Sequence, residues 1–151
     1  MTTPSFVIAS DHRGTGLKRE IANFLKSMNY SVEDLGTHSE ESVDYPDYAI
    51  KAARAVSAAK ASHGIVICHS GIGASISANK VKGVRAALAQ TEEQAELARK
   101  HTDANVLALP AGFVTPELAK KIVLKWIETK FEGGRHERRI GKIKDFEEHK
   151  K

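Results

Sequence analysis

A lone cysteine, Cys68, closes the apolar run Ile65-Val66-Ile67 and is followed at once by His69-Ser70-Gly71-Ile72-Gly73. Glycines of this spacing permit tight backbone geometry, and successive amides entering a helix form a positively polarised concavity that suits an oxyanion or a phosphate. The plainer reading is that Gly71 and Gly73 only let a strand and a helix pack closely. Cys68 has two readings as well. A free cysteine on a strand is commonly a small buried hydrophobe; at a strand end, beside a helix start and near His12 or His69, it becomes a usable thiolate, able to serve as base or nucleophile. Two sharper motifs fail. A nucleotide phosphate loop needs Gly-Lys-Ser or Gly-Lys-Thr, whereas Gly73 precedes Ala74-Ser75. A cysteine phosphatase loop needs an arginine six residues after the cysteine, where Ala74 stands.

Further chemistry lies in Asp11-His12, which ends the run Phe6-Val7-Ile8-Ala9, and in His101, within Lys100-His101-Thr102-Asp103. Arg135 and Arg139 are four residues apart, so on a helix they share a face, and two guanidinium forks side by side make a phosphate clamp. By default that segment is a solvated turn and helix start. His38, His63 and His149 read as ordinary surface histidines.

These residues must be positioned by strands and helices that alternate. Short apolar runs at 6–9, 30–35, 65–68, 84–89 and 105–109 read as strands. Between them, Leu17, Ile21, Phe24, Leu25 and Met28 mark one helical face, and Ala49, Ala52, Ala53 and Val56 another, after Pro46 at a first turn. Helices follow the glycine loop as far as Lys80, span 91–100, and bury Leu118, Ile122, Val123, Trp126 and Ile127. Strands alternating with helices imply parallel pairing through right-handed crossovers. The expectation is one domain over 1–151: an α/β, Rossmann-like three-layer sandwich with a five-stranded parallel sheet and a C-terminal helical extension from about 133 to 151. That charged extension is expected to reach a second subunit. In such a sheet the ligand sits beyond the carboxyl ends of the strands, where Asp11, His12, Cys68 and the loop after it are expected to converge.

Composition narrows the functions. The chain has 151 residues, 41% of them hydrophobic, enough for one core. No apolar stretch is long enough to span a membrane, no secretory leader is visible, and a single cysteine forms no internal disulfide, so a cytoplasmic protein is expected. The net charge of +4 lies largely in a mixed-charge tail without the basic stripe and stacking aromatics of a nucleic-acid binder. A small acidic ligand fits better.

Taken in order, several landmarks resemble the B-type ribose-5-phosphate isomerase family, which includes the galactose-6-phosphate isomerase subunits. They are Asp11-His12, Asp44-Tyr45-Pro46, the Cys68 loop, Ala78-Asn79-Lys80-Val81, Gly83-Val84-Arg85-Ala86, His101, Asn105-Val106-Leu107 and Glu132-Gly133-Gly134-Arg135-His136. The resemblance runs over nearly the whole chain. It implies an aldose-ketose isomerase that interconverts ribose 5-phosphate and ribulose 5-phosphate through an enediol, with no metal and no cofactor. Cys68 would be the base. His101 would open the sugar ring, with Asp11, and Ser70 with the amides of residues 69 to 73 would stabilise the enediolate. Arg135, Arg139 and His12 would hold the phosphate. The substrate would also meet His69, Gly71, Ile72, Gly73 and Thr102. The resemblance further implies a homodimer, or a dimer of dimers, with His101 and the arginines reaching into the partner's site.

The chain departs from the family pattern where Gly-Thr-Gly usually follows the cysteine: here it is His69-Ser70-Gly71. Thr102 replaces an asparagine, Gly112 an arginine, and Ala74 stands where a branch of the family carries a glutamate base. The other readings to be weighed are the same chemistry on a different sugar phosphate, and a non-catalytic module binding an anionic metabolite.

Overall fold

The computed structural model describes residues 3–149. Five strands form one parallel sheet: β1 (Ser5–Ser10), β2 (Ser31–Asp34), β3 (His63–Cys68), β4 (Ala86–Leu88) and β5 (Val106–Pro110), in the order β2-β1-β3-β5-β4. Six α-helices connect and cover them: α1 (Thr15–Ser27), α2 (Tyr45–Ser57), α3 (Ile72–Asn79), α4 (Glu92–Thr102), α5 (Pro116–Glu128) and α6 (Arg135–His149). The α/β sandwich expected from the alternation is the architecture found. The ends are trimmed by specific bonds. The Thr91 and Thr115 hydroxyls each accept from the amide three residues on, capping α4 and α5.

Successive residues of each strand face opposite layers, which is why the three central strands read as unbroken apolar runs rather than alternating ones. Phe6, Ile8, Ile65, Ile67, Leu107 and Leu109 pack against Ile21, Leu25, Ile122 and Trp126 on the α1/α5 side. Val7, Ala9, Val66, Cys68, Val106 and Ala108 face Ala49, Ala52, Ala53, Ala74 and Ala78 on the α2/α3 side. The small residues bring α2 and α3 close to the sheet, and the same alternation turns Cys68 toward them.

Strand β4 is shorter than the apolar run 84–89 suggests, because side chains take over part of its pairing. Asn79 donates to the Ala86 carbonyl (2.9 Å) and accepts from the Ala86 amide (2.8 Å), imitating a neighbouring strand on this exposed edge. Asn105 likewise accepts from the Arg85 amide and donates to the Gly83 carbonyl. One buried cation is compensated: Lys18 reaches Asp34 at 2.6 Å. Burial raises the Asp34 carboxyl, but the Lys18 ammonium and the Gly36 amide bring it net below its ordinary value.

His63, expected on the surface, is instead packed into the α1/α5 layer. Its ring centroid lies 5.5 Å from that of Phe6 and 5.1 Å from that of Trp126. It opens β3, and the inward face of that strand outweighs its polarity. Burial, reinforced by the nearby Arg99 charge, lowers its pKa from 6.5 to about 4. The unfolded chain therefore takes up this proton near pH 6.5 while the folded chain does so only near 4. Stability is full above the first value and falls through that window, by about 3 kcal/mol at ~1.4 kcal/mol per pH unit. His63→Phe keeps the packing and should flatten this part of the profile, measured by urea unfolding at pH 7.5 and pH 4.5; an unchanged slope would place the titration elsewhere.

Candidate active site

The chain leaves β1 toward β2 on one side and crosses over to β3 on the other, so the sheet has a switch point between β1 and β3. Loops diverge there and open a crevice at the carboxyl ends of the strands. The crevice is a cavity of about 440 Å³ lined by Asp11, Arg13, Tyr45, Cys68, His69, Ser70, Ile72, Gly73 and Ile76. Asp11 and Cys68 are both buried, at 6% and 4% exposure.

Each group is fixed by its backbone. Asp11 caps the short 3-10 turn His12–Gly14, with its Oδ1 accepting from the Arg13 amide (3.0 Å), so one carboxylate oxygen is engaged and the side chain is held at the strand end. Cys68 is the last residue of β3, and its carbonyl accepts from the Ala111 amide, tying the loop to the end of β5. Gly71 turns the chain into α3 with φ +73°; a Cβ there would lie 2.6 Å from Leu88 Cδ1 and 3.1 Å from the Leu109 carbonyl carbon, so glycine is required twice over. The Ser70 hydroxyl accepts from the Ile72 amide at 3.2 Å. Since α3 begins at Ile72, the Gly73 and Ala74 amides have no helical carbonyl to meet and point positive dipole toward the crevice.

Not every expected residue lies here. His12 is adjacent, but the cavity wall is built from its neighbours; its Nδ1 accepts from the Val43 amide (3.1 Å), which leaves the ring proton on Nε2. Arg13, Tyr45 and Ile76 join the wall without having been expected at the site. Tyr45 stands out in the sequence only within the Asp44-Tyr45-Pro46 landmark at a helix start, and Arg13 only as the residue after Asp11-His12.

His101 and Thr102 end α4, ahead of β5, whereas Cys68 pairs with Pro110 at the far end of β5. Four strand steps at ~3.3 Å put roughly 13 Å of sheet between the two ends. Thr102 lines a different cavity, with Asn79, Arg85 and Ile143, and its hydroxyl is turned back onto the Ala98 carbonyl. The Arg85 guanidinium donates to the Thr102 and Asp103 carbonyls (2.8 and 3.0 Å) and holds this helix end in place. Arg135 and Arg139 do share a face of α6, both exposed. One chain therefore assembles most of the expected residues at or beside the crevice and presents the rest, His101, Thr102, Arg135 and Arg139, at the opposite end of the sheet. Helix α6 packs on α4 of its own chain through buried His136 and Ile140, while Ile143 and Phe146 remain exposed.

At that opposite end the rings of His101 and His136 stack, with centroids 4.3 Å apart and planes 13° from parallel, and Glu132 lies 3.4 Å from His136 Nε2. The three side chains bring donor atoms within 4.8 Å of one another. They are a poor metal cage: in-plane lone pairs of near-parallel rings do not converge on one point, and Arg135 and Arg139 oppose a dication. Burial, with the charges of His101 and Arg135, lowers the His136 pKa, and Glu132 acts against them.

Fold and crevice together define a single-sheet α/β protein that brings a thiol, a carboxylate and the start of a helix together at its strand ends. Residues 6–143 match the family model described as Ribose/Galactose Isomerase. The chain belongs to that family and is an isomerase by class. It is 44% identical to ribose-5-phosphate isomerase B of Escherichia coli over 138 residues, covering 91% of this chain and 93% of that one. Among solved structures, ribose-5-phosphate isomerase B of Clostridium thermocellum superposes with a TM-score of 0.94 at 51% identity, covering 95% of this chain and 97% of the other. The enzyme of that name from Mycoplasma genitalium, with bound ribulose-5-phosphate, gives 0.94 at 44% identity and 99% coverage of both chains. Among the described residues no helix is long and apolar enough to cross a membrane.

Proposed function

We propose that this chain interconverts ribose 5-phosphate and ribulose 5-phosphate by proton transfer through an enediol, without a metal. The observation that carries the reading is the placement of Cys68: a buried thiol at the switch point, beside Asp11 and next to unpaired helix amides. That combination suits removal of a proton from a carbon beside a carbonyl, because the negative charge that develops on oxygen meets fixed dipoles in a sheltered site. The relatives named ribose-5-phosphate isomerase B, and the one holding ribulose-5-phosphate, supply the substrate class.

Cys68 takes the C2 proton of the open-chain aldose and returns it to C1, while the hydroxyl proton moves from O2 to O1. The Ser70 hydroxyl and the amides of residues 69 to 73 bind the enediolate. Ring opening needs a proton delivered to the ring oxygen. Asp11 is on hand for one end of that step, and His101 of a second copy supplies the donor. Arg135 and Arg139 of that copy, with His12, hold the phosphate. A second copy at the crevice also answers for its exposed apolar side chains, Ile72 and Ile76 in its wall and Phe113 against His69, which are 55%, 57% and 64% exposed. The assembly is accordingly a homodimer or a dimer of dimers with shared sites.

The decisive assay offers the purified chain ribose 5-phosphate and a panel of tetrose, pentose and hexose phosphates. Turnover led by ribose 5-phosphate is the expected result. Binding of sugar phosphates without turnover of any would make the chain a binding module instead.

A further inference from the structure

Gly112 is glycine for a spatial reason. Its backbone is outside the left-handed region, so any residue could adopt it, yet a Cβ built there falls inside the imidazole of His69, with Nε2 at 2.7 Å and Cε1 and Nδ1 nearer still. The two loops are pinned side by side, the Gly112 amide donating to the His69 carbonyl and the Ala111 amide to the Cys68 carbonyl, each at 2.9 Å. The ring is thus laid across position 112, flanked by Phe113 at 5.6 Å between centroids, and forms part of the wall of the Cys68 cavity. Ring nitrogens of His12 and His63 are engaged by protein neighbours; those of His69 bond to no other residue among the described ones and stay free for a ligand. Two positions that look unrelated in the chain therefore form one device, an imidazole parked where residue 112 carries no side chain.

We propose that His69, seated in the slot left by Gly112, sets the length of sugar phosphate that the Cys68 site accepts. This rests on the isomerase reading above. The base works at C1 and C2, so a rigid ring on the residue next to it bounds the space available to the reacting end of the sugar. An imidazole has more heavy atoms than one CHOH unit, and a site filled by it matches a five-carbon chain where an emptied one admits a sixth carbon. The slot holds the ring back. With a side chain at 112 the ring has no place to lie and must swing into the cavity, obstructing the shorter substrate as well.

The test compares the native chain, His69→Gly, Gly112→Ala and the double variant. Each is assayed for kcat/KM with ribose 5-phosphate and with allose 6-phosphate, and each is checked for folding by its melting transition. His69→Gly should raise the hexose-to-pentose ratio of kcat/KM by ~10-fold or more, the scale on which pockets discriminate one carbon unit. Gly112→Ala alone should cut kcat/KM for ribose 5-phosphate ~10-fold through KM, and should cost little once His69 is glycine, a coupling that independent sites do not show. If Gly112→Ala fails to fold, the ratio in His69→Gly decides. An unchanged ratio, or additive effects of the two substitutions, in a chain that turns over ribose 5-phosphate overturns the inference alone. Absence of turnover by the native chain overturns the isomerase reading and this inference with it.

Discussion

Cys68→Ala is expected to lower kcat for ribose 5-phosphate isomerisation by ~10³-fold or more while leaving substrate binding within a few-fold of native, because a positioned acid or base is worth about 10²–10⁴ in rate. No neighbour can take over the role. Asp11, held at Oδ1 by the Arg13 amide, is assigned to ring opening, and Ala74, in the first turn of α3, has no group that transfers a proton. His69 is held across Gly112 rather than free to swing to the C2 proton. Binding should survive, since the phosphate clamp and the amides of the loop do not involve the sulfur. The substitution removes one buried atom from an alanine-rich layer, so the cost in stability is about 1 kcal/mol and the melting transition should barely move. Steady-state rates paired with calorimetric titration of ribose 5-phosphate separate these effects. A variant keeping a tenth of native kcat would move the base to another residue.

Much of this site is legible in the chain because its parts are local. Apolar runs bury strands on both faces, and polar residues at their ends fall at the crevice, so Asp11 and Cys68 can be placed from pattern alone. The Gly71 turn and the helix after it follow from the same stretch. What eludes such a reading is set by contacts between distant segments. Strand order is one case: nothing in the run 84–89 says that β4 takes the edge and β5 slips between it and β3. His63 is another, since only the partners Phe6 and Trp126 from other elements reveal that the opening residue of β3 faces inward. The link between His69 and Gly112 crosses 43 positions and is visible only where the two loops meet. Asn79, Arg85 and Asn105 read as parts of one resemblance, yet their hydrogen bonds make them the scaffold of β4 and of the α4 end that carries His101.

Mixing two inactive variants should restore activity. On the shared-site proposal, Cys68→Ala and His101→Gln each remove one necessary group, and within one chain those groups stand at opposite ends of β5, so neither site of a pure variant dimer would be complete. In a mixed dimer one crevice carries both lesions and the other carries none, because each site draws Cys68 from one copy and His101 from the other. Random assortment of equal amounts makes half the dimers mixed, each with one intact site, giving about a quarter of native turnover. The variants are co-expressed with different tags, mixed dimers are isolated by tandem affinity, and their rate is compared with that of either parent. Isolated mixed dimers should reach about half of the native rate per dimer, on the same count of intact sites. Mixed dimers as inactive as their parents would mean that Cys68 and His101 act within one chain. A native chain sedimenting as a monomer at micromolar concentration would remove the shared site altogether, leaving the arginine face of α6 without a role in binding the phosphate.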